Sequence, residues 1–151
     1  MYEVAKQAGV GQATLYRHFP DRSVLAAAVG TELLEEIEQA VRERGEGPEA
    51  FDDTMLTMTR VMVRAPGLIR IVRENGEAYD QGMRRRLLDA LGDVLRDGQA
   101  VGRVRPDITP EDLILFMTMV EGIMSEVASP SERLRAAERG LDLVLRGVVV
   151  A

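Results

Sequence analysis

The amino-acid sequence predicts an all-α chain. A small head of two short helices joined by a glycine turn, with its connecting helix, occupies residues 1–44, and a larger helical body spans residues 45–151. Three observations predict this. Apolar residues recur every three to four positions through almost every segment, the spacing that gathers them on one face of a helix. No segment alternates at the two-residue period of a half-buried strand, and the apolar run Val148 to Val150 is too short to count as one. Start and stop signals then cut the chain into helical lengths: Asp21 after Pro20, Thr109-Pro110, Ser129-Pro130, and the glycines Gly9, Gly45, Gly76 and Gly102.

The first eight residues, MYEVAKQA, place Val4, Ala5 and Ala8 at helical spacing, so a short helix can show one apolar face to the next segment. Gly9 ends it, because glycine tolerates the left-handed backbone of a tight helix-to-helix turn. A small residue at Ala5 lets a second helix cross closely. Val10 and Leu15 are expected to fill the corner, with Phe19 one turn beyond Leu15, and Gly11 is the expected N-cap although serine or threonine would cap better.

The opposite face of that second helix carries Gln12, Ala13, Thr14, Tyr16, Arg17 and His18. At the N-terminal end of a helix lying in the major groove, glutamine pairs bidentately with adenine, and alanine or threonine meets a thymine methyl. Tyr16, His18 and Arg22 suit phosphate, a contact that sets register and weakens with salt. A lone histidine is also a common surface or structural residue, so His18 has both readings. Glycine turns between amphipathic segments occur in hairpins with no DNA role, and Ala5, Gly9 and Leu15 alone say little. The whole run says more. QATLYRHFPDR closely resembles the recognition-helix signature of the TetR family of bacterial transcriptional regulators, in which Thr-Leu-Tyr-x-His-Phe is followed by a basic residue opening the next helix. The resemblance implies an all-α homodimer with an N-terminal DNA-binding domain and a larger domain that dimerises and binds a small effector. It also implies a repressor that a small molecule releases from a double-stranded DNA operator.

A net charge of −6 argues at first against nucleic acid, since duplex DNA repels an acidic surface. Its distribution softens the objection: Lys6, Arg17 and Arg22 outweigh Glu3 and Asp21 in residues 1–22, leaving −7 for the remainder. Zero cysteines fits the reducing cytoplasm, the expected location, and no apolar run reaches the ~18 to 20 residues of a membrane span.

Asp21 caps a helix continuing through residue 44, with Val24, Leu25, Ala28, Leu33, Ile37 and Val41 along its apolar side. In the family this helix links head to body, so its tilt would carry the effector signal. Gly30, in its interior, weakens it by ~1 kcal/mol relative to alanine, and is either a flex point or a site of close packing. Pro48 suits the first turn of the next helix, running to about Ala65 with Phe51, Met55, Met58 and Met62 on one face. A short helix to about Asn75 follows Pro66, and Ala78 to Gly98 forms another, with Met83, Leu87, Leu88, Leu91, Val94 and Leu95 inward and Arg84, Arg85 and Arg86 solvated.

Thr109 caps a helix that is apolar almost all round. Leu113, Phe116, Val120, Ile123 and Val127 form one stripe, and Ile114, Met117, Glu121 and Met124 another. Ser129 opens the last helix as a capping box with Glu132, and Leu134, Ala137, Leu141, Val144 and Val148 make its stripe. Gly140 and Gly147, seven apart, could admit a second helix closely. Two such helices fit the four-helix dimer interface of the family, through Leu113, Phe116, Val120, Ile123, Leu134, Leu141 and Val144.

Methionines at helical spacing serve either as core or as the wall of a pocket that repacks around apolar guests. The resemblance favours the pocket, placing it between the helix of residues 48–65 and those after it. Phe51, Met55, Met58, Met62, Met117 and Glu121 are then the expected lining. Glu121 is either paired with an arginine such as Arg60 or Arg73, or is the polar anchor for a guest with a cationic or hydrogen-donating end. An enzyme on a helical bundle needs clustered carboxylates and histidines. With one histidine, inside the recognition run, and no cysteine, neither catalysis, a metal nor a cofactor is expected.

Members of the family carry a long amphipathic helix ahead of the two that make the motif, whereas residue 1 here falls at the second. Without such cover Val4, Ala8, Leu15, Phe19 and Leu25 lose burial that so small a subdomain can ill spare. In-frame codons before Met1 are therefore expected to encode roughly 15 to 40 residues with a basic amphipathic helix. A stop codon directly before Met1 would overturn this, and a chain truly lacking the helix would be a dimeric small-molecule binder without DNA binding.

Overall fold

The computed structural model describes residues 1–65, 77–127 and 129–148. Among these residues the regular structure is helical and no strand is present. The described helices are α1 (Tyr2–Gln7), α2 (Gln12–His18), α3 (Arg22–Arg42), α4 (Ala50–Val63), α5 (Glu77–Ala100), α6 (Pro110–Ser125) and α7 (Pro130–Val148). The expected short helix ending at Asn75-Gly76 lies outside the described residues.

Helices α1 and α2 pack on each other as the head. At their crossing Ala5 and Leu15 are buried and Phe19 is half-buried. Val4, Ala8 and Val10 were expected to join them but are exposed. Helices of six and seven residues offer each other little more than one side chain apiece at a crossing, so the flanking apolar residues point outward.

Helix α3 opens on Asp21, whose Oδ1 accepts from the Val24 amide at 2.9 Å, and runs for 21 residues into the body. Its buried stripe is Ala26, Gly30, Leu34, Ile37 and Val41. This corrects the expected set: Val24 and Ala28 are exposed, and Leu33 is only half-buried beside Leu34. Counting towards the N-terminus from Val41 in threes and fours reaches 37, 34, 30 and 26, so 24 and 28 fall on the flank. Ile37 and Val41 join Phe51, Met58, Leu91, Val94, Phe116, Val120 and Leu141 in one core. Helix α3 thus supplies part of the body as well as the link to the head. It packs on α4 and α5, while α7 packs on α4 and α6.

Ion pairs hold α3 from both flanks. Arg64 of α4 pairs with Glu36, and Arg86 of α5 grips Glu38 bidentately, both contacts at 2.8 Å. Just past the helix, Arg44 pairs with Asp97. Arg84 and Arg85 are exposed, as expected of a solvated face, whereas Arg86 is held by Glu38.

Helix α4 begins at Ala50 with Glu49 as N-cap, so Pro48 precedes the helix instead of opening it. The reason is Gly47, whose φ of 101° turns the chain before the helical residues start. Two buried threonines on α4 satisfy their own hydroxyls one turn back, Thr54 to the Ala50 carbonyl at 2.7 Å and Thr59 to the Met55 carbonyl at 2.8 Å. Thr109 and Asp112 form a reciprocal capping box at the start of α6. The Thr109 backbone N–H, and then its hydroxyl, holds the Asp112 carboxyl below its usual range.

Gly98 of α5 is the tightest glycine in the described body. A Cβ there would stand 2.7 Å from Val104 Cγ2 and 3.3 Å from Phe51 Cδ2. Val104 is buried and β-branched, so it has no free rotamer to retreat into. Gly98→Ala is expected to destabilise by about 1 to 3 kcal/mol through overpacking, although alanine is the better helix former. Gly92→Ala, whose Cβ would meet only Pro110 Cγ at 3.9 Å, is expected to stabilise by about 0.5 to 1 kcal/mol. Urea denaturation of both variants checks the opposite signs.

Arg86 lowers the Glu38 carboxyl below its usual range, chiefly by hydrogen bonding and then by charge. A carboxyl depressed in the folded state contributes stability above its unfolded pKa and loses it as pH falls through the folded value. The stability difference between wild type and Glu38→Gln is therefore expected at neutral pH and should fade below about pH 4. Urea midpoints measured across that window check it, and a difference that grew on acidification would contradict the pairing.

Candidate functional site

The turn between α1 and α2 is built by Gly9, whose φ of 67° suits a residue without Cβ. It lets the Gly9 and Val10 amides reach back to the carbonyls of Lys6 and Ala5, at 3.3 and 3.0 Å, closing the end of α1. Gly11, with extended backbone, is the N-cap of α2 and makes no side-chain cap. The Phe19 amide bonds the Leu15 carbonyl at 2.8 Å, and Pro20 and Asp21 turn the chain into α3.

With Leu15 buried on one side of α2, Gln12, Ala13, Thr14, Tyr16, Arg17 and His18 are all exposed, as is Arg22 at the start of α3. All seven residues expected at a DNA surface are therefore free to meet a partner on one short, continuous segment. Glutamine and threonine at the helix N-terminus with cations at its far end can divide the work between base edges and phosphates. The His18 and Phe19 rings lie 6.4 Å apart and tilted, so the imidazole rests near an apolar neighbour with its edge in solvent.

A recess of about 80 Å³ opens in the body between α3, α4, α5 and α6. Helix α3 contributes Gly30, Leu33, Leu34 and Ile37, the end of α4 adds Val61 and Met62, and Ala65 follows just beyond it. Met83 and Leu87 come from α5, and Met117, Glu121 and Met124 from α6. Of the lining expected from the sequence, Met62, Met117 and Glu121 stand on this wall. Phe51, Met55 and Met58 do not: they are buried in the core, where the first turns of α4 face the bundle centre, and only its last turn reaches the recess. Phe51 instead lies beneath a second, more polar recess beside Arg44, Asp97 and Gly98.

Glu121 is half-buried. Arg60, one of its two expected partners, is instead held by Glu138 of α7 at 3.0 Å, and Arg73 lies outside the described residues. The contribution of α3 to the recess escaped sequence reasoning. Its signal was present in Gly30, a glycine in the helix interior one turn before Leu33-Leu34.

The outer face of α6 and α7 differs from the expected one. Leu113, Phe116, Val120 and Leu141 are buried within the chain's own core, while Leu134 and Val144 are half-buried, so this stripe faces inward. The outward apolar residues are Leu115 (59% exposed), Met119 (49%) and Ile123 (38%), at i, i+4 and i+8 on α6, with Leu143 (56%) on α7. Ile123 alone belongs to both the expected and the observed set. The two helices approach closely at Gly140, where a Cβ would lie 3.1 Å from Ile123 Cδ1, whereas Gly122 and Gly147 have open space above them.

Known proteins share both parts of this chain. Residues 1–29 match the family described as "Bacterial regulatory proteins, tetR family", and residues 49–150 match "Transcriptional regulator SbtR-like, C-terminal domain". A search of curated proteins finds no match. Among solved structures, a TetR transcriptional regulator from Streptomyces coelicolor is 28% identical, with 97% of this chain and 85% of that one covered and a TM-score of 0.64. A TetR transcription regulatory protein from Mycobacterium vanbaalenii is 26% identical, covering 98% and 81%, with a TM-score of 0.61. SmeT, the repressor of the Stenotrophomonas maltophilia multidrug efflux pump SmeDEF, is 20% identical over 97% and 78%, with a TM-score of 0.59, and shares the fold.

Proposed function

This chain belongs to the TetR family of bacterial transcriptional regulators, and we propose that it works as a cytoplasmic repressor which a small molecule lifts from its DNA operator. The observation that carries the ligand response is the double duty of α3. Its first residue, Arg22, adjoins the exposed DNA segment, and Gly30, only eight residues and about 12 Å further along the helix, already lines the recess. A guest wedged against Gly30, Leu33, Leu34 and Ile37 pushes on the rod that carries the head. Two heads then lose the separation at which both reach successive major grooves.

The DNA contact is assigned to Gln12, Ala13 and Thr14 at base edges and to Tyr16, Arg17, His18 and Arg22 at the backbone. The chain acts as a homodimer, and the outward residues Leu115, Met119, Ile123 and Leu143 support a pairing face, since a symmetric contact covers the same apolar patch twice. The recess, with Met62, Met117 and Glu121 on its wall, is the effector site. Members of this family regulate transcription, and no catalytic role is assigned.

Three outcomes test this reading. On a pseudo-palindromic operator with half-sites about 34 to 36 Å apart or a multiple of that, Gln12→Ala and Thr14→Ala should relax preference at particular base pairs by about 1 to 3 kcal/mol. Gel-shift titrations on operator and random DNA check it, and equal losses on both would contradict base reading by these residues. Arg22→Ala should weaken binding to all sequences alike and reduce the slope of log affinity against log salt by about 1, measured by fluorescence anisotropy. Met119→Glu and Leu143→Glu should give folded monomers in analytical ultracentrifugation, because each sets an unpaired charge in the apolar contact. Phe116→Glu, by contrast, should unfold the body, since its side chain is buried in the core. Unchanged dimer mass for both surface variants would place the interface elsewhere.

A further inference from the structure

We propose that two copies of this chain pair through unlike helices, α6 of each lying antiparallel on α7 of the other, with the acidic ends of α6 against the arginines of α7. The proposal rests on the homodimer reading above and adds to it which helices meet and which charges select the partner.

The two outward faces carry opposite charge. Helix α6 contains no lysine, arginine or histidine. Its exposed face runs from Glu111 through Leu115 and Met119 to Glu126, which follows the last helical residue. On α7 the exposed residues Arg135, Arg139, Leu143 and Arg146 recur at spacings of four, four and three, and so share one face. Asp142 on its flank serves both Arg139 and Arg146, the latter at 3.3 Å, which leaves that trio one positive charge. The exposed carboxylate of Glu132 lies in the first turn of α7, where it complements the helix N-terminus. Among the described residues, the carboxyls of Glu111 and Glu126 and the guanidinium of Arg135 make no hydrogen bond or ion pair within the chain.

Glu126 carries the argument furthest. It is the C-cap of α6, where a carboxylate meets the negative end of the helix, a locally unfavourable place that no cation of its own chain offsets. Pairing like helices would set Glu126 towards its own copy and gather the arginines of both α7 helices, which is repulsive at both contacts. Pairing unlike helices turns both contacts attractive, and two-fold symmetry makes each one twice. The register agrees. With Leu143 opposite Leu115 in an antiparallel crossing, a rise of 1.5 Å per residue brings Arg146 opposite Asp112, beside Glu111, and Arg135 opposite Ile123. Glu126 is then three residues away, less than one turn of about 5.4 Å and within reach of an arginine. The apolar ridge thus lies between two ionic contacts of opposite polarity, which fix the direction of the partner helix.

Charge reversal tests this by sedimentation velocity, with one copy fluorescently labelled where two are mixed. Glu126→Arg alone and Arg135→Glu alone should each self-associate roughly tenfold or more weakly than the wild type, because each sets like charges against each other at two symmetric contacts. An equimolar mixture of the two should form a heterodimer within about twofold of wild-type affinity, since every contact in it is again between opposite charges. Glu126→Arg makes the chain less acidic, so relief of overall repulsion would strengthen its pairing, and a loss there reports the specific contact. Self-association of both variants at the wild-type level, or weakening that the mixture does not restore, overturns the unlike-helix pairing. The homodimer reading survives that outcome if Met119→Glu still gives monomers. A wild type that stays monomeric, or pairing indifferent to Met119→Glu and Leu143→Glu as well as to both reversals, overturns that reading and this proposal with it. Both reversed positions are exposed, circular dichroism reports whether each variant folds, and either one tests self-association without the other.

Discussion

Everything in this chain turns on the docking of one helix. The stripe Gly30, Leu34, Ile37 and Val41 fastens the second half of α3 into the body, while its first turns lead out to the head. The attachment is apolar at its centre and ionic at its edges, with Glu36 and Glu38 reaching to opposite neighbours, α4 and α5. Such partly exposed pairs add little stability, but two of them on opposite flanks fix the roll of the helix about its axis. The roll of α3 decides where the head points. The recess lies at the upper end of that attachment, where the buried stripe still packs on α4 and α5 and Gly30 lines the opening. In the proposed reading, a guest in the recess meets α3 on the same face that fastens the helix to the body.

The head and its turns were legible in the sequence because their signals are local. Gly9, Gly11, Pro20 and Asp21 set the bounds of α2 whatever the rest of the chain does, and the exposed positions from Gln12 to His18 follow once Leu15 is known to face inward. The Thr109 capping box is equally local. Where the reading failed, the decision was tertiary. Helix α6 is apolar on nearly every side, so the stripe through Leu113, Phe116 and Val120 and the stripe through Leu115, Met119 and Ile123 are equally periodic. Only the positions of α4, α5 and α7 decide which is core. The same holds on α4, where Phe51, Met55 and Met58 share a face with Met62 in a helical projection but sit at a different height in the bundle.

Charge was legible in sign but not in pairing. An acidic total with a mildly basic head is visible by counting. The couplings Arg86 to Glu38, Arg60 to Glu138 and Arg103 to Asp52 join residues dozens of positions apart, and no spacing rule reaches them. Of these cations the sequence reading had offered Arg60 to Glu121, and Glu138 holds it instead.

Gly140 has a consequence for identity between close relatives. Because α6 rides on its bare backbone, the height of Ile123, and with it the relief of the outward ridge Leu115 to Ile123, is fixed by a methyl group that is missing. Restoring that methyl in a sister protein would lift the ridge by a few tenths of an ångström and leave every exposed side chain unchanged in kind. If the ridge is the pairing face proposed above, two copies that share this relief fit each other better than a copy and its altered sister, and one buried-side methyl separates the two pairings.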